Sequence, residues 1–120
     1  LPPVDLVMPV PLHPSRLRTR EFNQSLLLAD RIARRLGLPL SFEHLERIRQ
    51  TRPQTELDRT DRARNVRRAF AVREPDGLKD SRILLVDDVL TTGATVNDCA
   101  RALRRAGASS VTVLTLARRL

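Results

Sequence analysis

A chain of 120 residues, 41% hydrophobic and 30% charged, has the composition of one compact domain, and no run approaches the roughly 20 apolar residues of a membrane-spanning helix. The single Cys99 excludes an internal disulfide framework and a multi-cysteine zinc site, and 3 Phe with no Trp or Tyr leave little for stacking single-stranded bases. The 22 basic residues, all arginine except Lys79, stand against 14 acidic ones for a net charge of +8, which suits polyanions (nucleic acid or multiply phosphorylated small molecules) and equally a merely solvated basic surface.

Residues 4–10 (VDLVMPV) are a short apolar run that Pro9 stops, and they read as a buried strand. Residues 11–20 (PLHPSRLRTR), rich in Pro and Arg, read as a loop. In 23–36 the four-residue spacing of Leu28, Ile32 and Leu36, with Ala29 and Ala33 alongside, predicts one face of an amphipathic helix. Asn23 is placed to cap its start, and Gly37 followed by Pro39 ends it. Residues 40–48 partly alternate and predict a second strand. Residues 49–58 are polar and contain Pro53, a loop; 59–68 are charged nearly all round, a short exposed helix; 69–72 predict a brief strand; Pro75, Asp76 and Gly77 mark a turn over 73–80.

The strongest local signal follows. Residues 82–86 (RILLV) are a continuous apolar run, as in a strand covered on both faces. It ends in Asp87 and Asp88. An amphipathic helix comes next, with Val96, Cys99, Ala100 and Leu103 on one face and Gly107 at its end, and then a strand over 110–116 (SVTVLTL). Strand, helix and strand within about 35 residues predict a right-handed βαβ unit with parallel strands. No internal repeat and no long linker divides the chain. The expected fold is therefore a single α/β domain, a mainly parallel, doubly wound sheet with helices on both faces.

Ligands of such sheets sit outside the carboxyl ends of the strands. The segment Val86-Asp87-Asp88-Val89-Leu90-Thr91-Thr92-Gly93-Ala94-Thr95 lies at that edge. Gly93 allows a sharp turn or a close approach to a ligand. The first amides of the following helix lack partners and carry the positive end of its dipole, and Thr91, Thr92 and Thr95 add hydroxyl donors. Together these suit a phosphate monoester without any cationic side chain. Two carboxylates beside that site would repel a bare phosphate. They make sense facing sugar hydroxyls or a hydrated Mg²⁺, so the motif reads as a ribose 5-phosphate site. An acidic pair ending an apolar strand also occurs in Walker B strands and phospho-acceptor sites, but no G-x-x-x-x-G-K-[ST] is present. A structural turn with Asp87 capping the helix is the remaining alternative.

VDDVLTTGAT resembles the phosphoribosyl-pyrophosphate (PRPP) binding motif of type I phosphoribosyltransferases. The chain is more narrowly similar to the phosphoribosyltransferase domain of the ComF family, associated with bacterial DNA uptake. The residues that carry this are Pro9-Val10-Pro11-Leu12-His13-Pro14, Arg20, Phe22-Asn23-Gln24, then Gln54, Leu57, Arg62, Asn65 and Ala69-Phe70. The resemblance implies that Asp87 and Asp88 hold the ribose 2- and 3-hydroxyls, directly or through Mg²⁺ and water. It implies that Thr91, Thr92, Gly93, Ala94 and Thr95 wrap the 5-phosphate, with Val89 and Leu90 as further substrate-binding residues of the same loop. Pro11, Leu12 and His13 fall where the superfamily places its pyrophosphate loop. Arg16 and Arg20 lie just beyond, and arginine binds diphosphate through paired N–H donors. Residues 49–70 take the place of the flexible loop or hood, with Gln54, Arg62 and Asn65 as its candidates. As an enzyme, the chain would catalyse displacement of pyrophosphate at ribose C1 by a nitrogen nucleophile, through positioning and charge stabilisation.

Two departures stand out. Glu21 occupies a position where the family usually has Gly, next to the proposed diphosphate side. The family's zinc ribbon of paired cysteines, and the helix and strand that usually precede Val4, are not in this sequence. The chain opens on Leu1 with no signal peptide ahead of it and reads as a fragment or processed product, expected in the cytoplasm. Its expected partner is PRPP or a nucleoside monophosphate. Two other readings keep the same fold. One is a non-catalytic module that contacts single-stranded DNA or DNA-uptake proteins, supported by nine Arg against three acids over 47–73. The other is a regulator that senses PRPP or a nucleotide without turnover.

Overall fold

The most apolar run of the chain lies at the centre of the sheet. The structure is a computed structural model that describes residues 2–11, 24–48, 69–90 and 93–118. In chain order its elements are β1 (Leu6–Pro9), α1 (Gln24–Leu36), β2 (Leu45–Arg47), β3 (Phe70–Val72), β4 (Arg82–Leu90), α2 (Ala94–Arg105) and β5 (Ser110–Arg118), with a 3₁₀ turn at Pro75–Leu78. Strands β1, β4 and β5 form a parallel sheet in the order β1-β4-β5, with Leu6 opposite Ile83 and Val86 opposite Leu114. A parallel strand with a neighbour on each side and a helix on each face has no solvent side, so its residues need not alternate. Ile83, Leu84, Leu85 and Val86 are all fully buried. Each such side chain removed from water contributes about 1.5–3 kcal/mol.

The two-residue period of the strands sorts these side chains into two layers. Ile83 and Leu85, with Met8 and Val10, join Val96, Cys99, Ala102 and Leu103 of α2 in one core. Leu84 and Val86, with Val7, meet Ala29 and Ala33 of α1 in the other. The expected α/β architecture, a parallel sheet with helices on both faces, is what the chain forms.

The face that α1 presents differs from the expected one. Its buried residues are Ser25, Ala29 and Ala33, while Leu28 and Ile32 flank the contact partly buried and Leu36 is 45% exposed. Small side chains let the helix approach the sheet closely, so they take the centre of the contact and the larger ones move to its rim. The proposed cap Asn23 lies outside the described residues.

Pro9 is the last residue of β1, as its place in the run predicted. Val7 donates its N–H to Pro39 and accepts from Ser41, so a single bridge at Leu40 flanks β1 on that side. Pro9 would point its missing N–H to the same side, beyond the bridge, and no ladder bond is lost. The predicted strand over 40–48 is thereby split. Leu40 bridges to β1, the chain bends over residues 42–44, where the Ser41 hydroxyl bonds His44 Nδ1 at 2.5 Å, and β2 then pairs antiparallel with β3. The brief strand expected over 69–72 is β3. The helix expected over 59–68 lies outside the described residues.

Strands β4 and β5 both run further than 82–86 and 110–116. The acid pair is not the end of β4 but lies inside it, with Asp87 opposite Thr115, Val89 opposite Ala117 and Leu90 opposite Arg118. Pairing with β5 on both sides of Asp88 carries the strand past the acids. Helix α2 ends near Gly107, whose φ of +110° is open to glycine and strained for other residues. Among the described residues, no helix is long and apolar enough to cross a membrane.

Candidate functional site

The site is built where β4 leaves the core. Val86 is fully buried, and the next two residues, Asp87 and Asp88, are half-buried. On the neighbouring strand the Val10 N–H donates to the Val86 carbonyl at 2.9 Å, so Pro11, half-buried, begins the segment after β1 beside the acids. The start of the proposed pyrophosphate side and the proposed diol site thus share one edge of the sheet.

A third residue meets the acids there. Ser25, in the first turn of α1 and 6% exposed, places Oγ 3.2 Å from Asp87 Oδ1 and 3.4 Å from Asp88 Oδ1. The same oxygen accepts the Asp88 N–H at 3.2 Å. Burial pushes the Asp87 carboxyl above the usual carboxylate range; the Ser25 hydrogen bond opposes this, and the hydrogen bond and charge of Asp88 reinforce it. The folded chain therefore holds a proton on Asp87 more readily than the unfolded chain does, and stability falls as pH rises through that titration. Hydroxyl donors or a cation arriving at the pair relieve the same penalty.

Past the acids, Gly93 adopts φ +82° and ψ −6° and opens α2. The first intrahelical bond runs from the Asn97 N–H to the Gly93 carbonyl at 2.9 Å. The amides of residues 94–96 precede it and have no partner one turn back within the helix. The N-cap residue, Gly93, has no side chain with which to cap this end. The helix start is thus a set of convergent donors with the positive end of a dipole behind them. Thr95 is half-buried within it.

Of the residues the sequence singled out, Asp87, Asp88, Gly93, Ala94, Thr95 and Pro11 are described and lie along this edge. Val89 and Leu90 belong to β4 and not to a loop. Thr91, Thr92, Leu12, His13, Arg16, Arg20, Gln54, Arg62 and Asn65 lie outside the described residues. Cys99 is fully buried on α2, and that burial pushes its thiol well above the usual range, as its place on the apolar face predicted. Sequence reasoning missed Ser25 and Asp98. A polar residue heading the small stripe Ser25, Ala29, Ala33 was the available signal for Ser25. Asp98 is 1% exposed on α2, and its Oδ2 accepts the Ala69 N–H at 3.3 Å. It ties α2 to the start of β3, where the 49–68 segment rejoins the described structure. Across the ribbon the Arg47 guanidinium lies 5.4 Å from the Phe70 ring centre.

Fold and site together define a phosphoribosyltransferase-type domain, and the chain belongs to that family: the family described as "Phosphoribosyl transferase domain" matches residues 23–120. The narrower likeness to ComF proteins is carried by its relatives. The chain is 35% identical over 115 residues to "Competence protein F" of Haemophilus influenzae, covering 95% of this chain and 50% of that protein. It is 39% identical over 120 residues to "DNA utilization protein YhgH" of Salmonella typhi, covering 100% of this chain and 52% of that protein. The chain therefore spans about half the length of the curated relatives it matches. Solved structures share the fold. The glutamine PRPP amidotransferase from B. subtilis, complexed with ADP and GMP, superposes with a TM-score of 0.64 at 24% identity, over 95% of this chain and 22% of that one. The hypoxanthine phosphoribosyl transferase of Trypanosoma cruzi superposes with a TM-score of 0.55 at 14% identity, over 98% of this chain and 51% of that one.

Proposed function

We propose that this domain binds PRPP or another ribose 5-phosphate ligand at the edge formed by Asp87, Asp88 and the start of α2. The observation that carries the reading is the placement of two half-buried carboxylates on one strand, with four residues between them and a left-handed glycine that opens a helix. Carboxylates accept hydrogen bonds from the ribose 2- and 3-hydroxyls. The amides of residues 94–96 donate to the 5-phosphate. A ligand carrying hydroxyls at one end and a phosphate at the other satisfies both halves, which neither free phosphate nor a sugar alone does.

The donor set also fits Mg²⁺ of one kind. Among the described residues no group of three or more His, Cys, Asp or Glu side chains is arranged to hold a metal ion. A cage made only of protein ligands does not suit this site. Mg²⁺ that keeps most of its waters and uses one or two carboxylates together with substrate phosphates does, with Asp87 and Asp88 as the carboxylates. When bound, Mg²⁺ supplies positive charge to a departing pyrophosphate. The chain's own part in a transfer reaction is to fix the ribose by its hydroxyls and phosphate, leaving C1 presented to an acceptor.

The names of the relatives, a competence protein and DNA utilization proteins, support placing this binding in the uptake or use of DNA. The net charge of +8 is compatible with a polyanion nearby. The test is calorimetric titration of PRPP with Mg²⁺ into the wild type and into Asp87→Asn with Asp88→Asn. Binding lost in a double variant that still unfolds cooperatively supports the proposal. Unchanged PRPP affinity removes it. Single-stranded DNA binding that survives the double substitution would point instead to a nucleic-acid module on the same fold.

A further inference from the structure

We infer that Ser25 is a positioning residue that makes the acid pair able to grip a vicinal diol; the inference rests on the reading of Asp87 and Asp88 as the diol site. Successive side chains of a strand point to opposite faces of the sheet. Left to the strand alone, Asp87 and Asp88 would diverge, and two hydroxyls on neighbouring carbons of one ring need acceptors that converge. In this structure one Oγ lies within hydrogen-bond distance of Oδ1 of both acids, at 3.2 and 3.4 Å.

The hydroxyl is itself held. It accepts the Asp88 N–H at 3.2 Å, and its helix is seated on β4 by Ala29 and Ala33, one and two turns further along the same stripe. A hydroxyl has one proton and two lone pairs, so that proton is shared between the two carboxylates and cannot satisfy both at once. Ser25 therefore gathers the acids without saturating them. It engages each through Oδ1, so both carboxylates are drawn towards one point.

The experiment compares the full chain with Ser25→Ala and Ser25→Gly by calorimetry. The probes are ribose 5-phosphate with Mg²⁺, 2-deoxyribose 5-phosphate with Mg²⁺, and inorganic phosphate; thermal unfolding serves as the check on folding. Alanine matches the other residues of the stripe in size, so the helix keeps its seat. Loss of a hydrogen bond to charged partners predicts about tenfold weaker binding of ribose 5-phosphate in both variants. Binding of inorganic phosphate stays within about twofold, and the preference for ribose over 2-deoxyribose 5-phosphate shrinks by about the same tenfold. A general loosening of the fold would weaken all three probes together, and that pattern overturns the inference. So does a variant that binds ribose 5-phosphate as the wild type does, which leaves the proposed function standing. A wild type that binds no ribose 5-phosphate overturns both.

Discussion

The sharpest prediction concerns Gly93→Ala, because the backbone there decides whether the amides of α2 converge. Gly93 has φ +82°, a region that costs an alanine about 1–2 kcal/mol through its Cβ. The unfolded chain loses freedom on the same change, which returns about 0.4–1 kcal/mol to the folded state. The net strain is about 1 kcal/mol. It must appear in one of two places. If the loop keeps its conformation, the unfolding midpoint drops by about 4 °C for a domain of this size and affinity for ribose 5-phosphate is retained. If the loop relaxes to negative φ, stability is retained, and binding must restore the strained form, so affinity falls about fivefold. Differential scanning calorimetry with and without ribose 5-phosphate, together with titration calorimetry, reads both. Gly93→Asn is the control, since asparagine tolerates the left-handed region better and loses less on either measure. An alanine variant with both the wild-type midpoint and the wild-type affinity would show that the positive φ is not needed, and the argument for the helix start as a phosphate site would lose its geometric basis.

Asp98→Ala strips the Ala69 N–H of its buried acceptor; the expected loss is about 1–3 kcal/mol in urea unfolding, with faster amide exchange at Ala69 and less loss in Asp98→Asn, which keeps an acceptor. Asp5 accepts two hydrogen bonds from the Arg82 side chain and one from its backbone N–H, which hold its carboxyl down from the usual 3.8 to about 2. A carboxyl depressed in the folded state adds stability above its unfolded value, and that stability is lost as pH falls through the folded one. Asp5→Asn is therefore expected to flatten the pH dependence of the urea midpoint between pH 3.8 and about 2, while an unchanged slope there would remove the pair as its source.

Much of this protein was legible in one dimension. The apolar run in RILLV read as a strand covered on both faces, because a strand with an exposed side would show polar alternation. The helix and strand that follow close a parallel βαβ unit by connection length alone. The acids, Gly93 and the helix start are contiguous in sequence, so their chemistry could be read without knowing what packs against them. Local spacing was a weaker guide for α1. It identified the helix, but the choice between the leucine stripe and the Ser25, Ala29, Ala33 stripe depends on how near the sheet the helix can come, which is a property of both surfaces. The same holds for 40–48, where alternation suggested one strand and a bridge at Leu40 and a bend over residues 42–44 divide it.

What the sequence alone determined, then, is the set of chemical groups at the sheet edge and the order in which the chain supplies them. Their convergence was decided in three dimensions. Ser25 stands 62 and 63 residues from Asp87 and Asp88, and Asp98 stands 29 residues from Ala69. No period or local propensity encodes such contacts. They exist because burying the apolar faces of α1 and α2 against β4 fixes both helices in register with the strand, and hydrogen bonds of about 3 Å form only after that packing has brought distant backbone together.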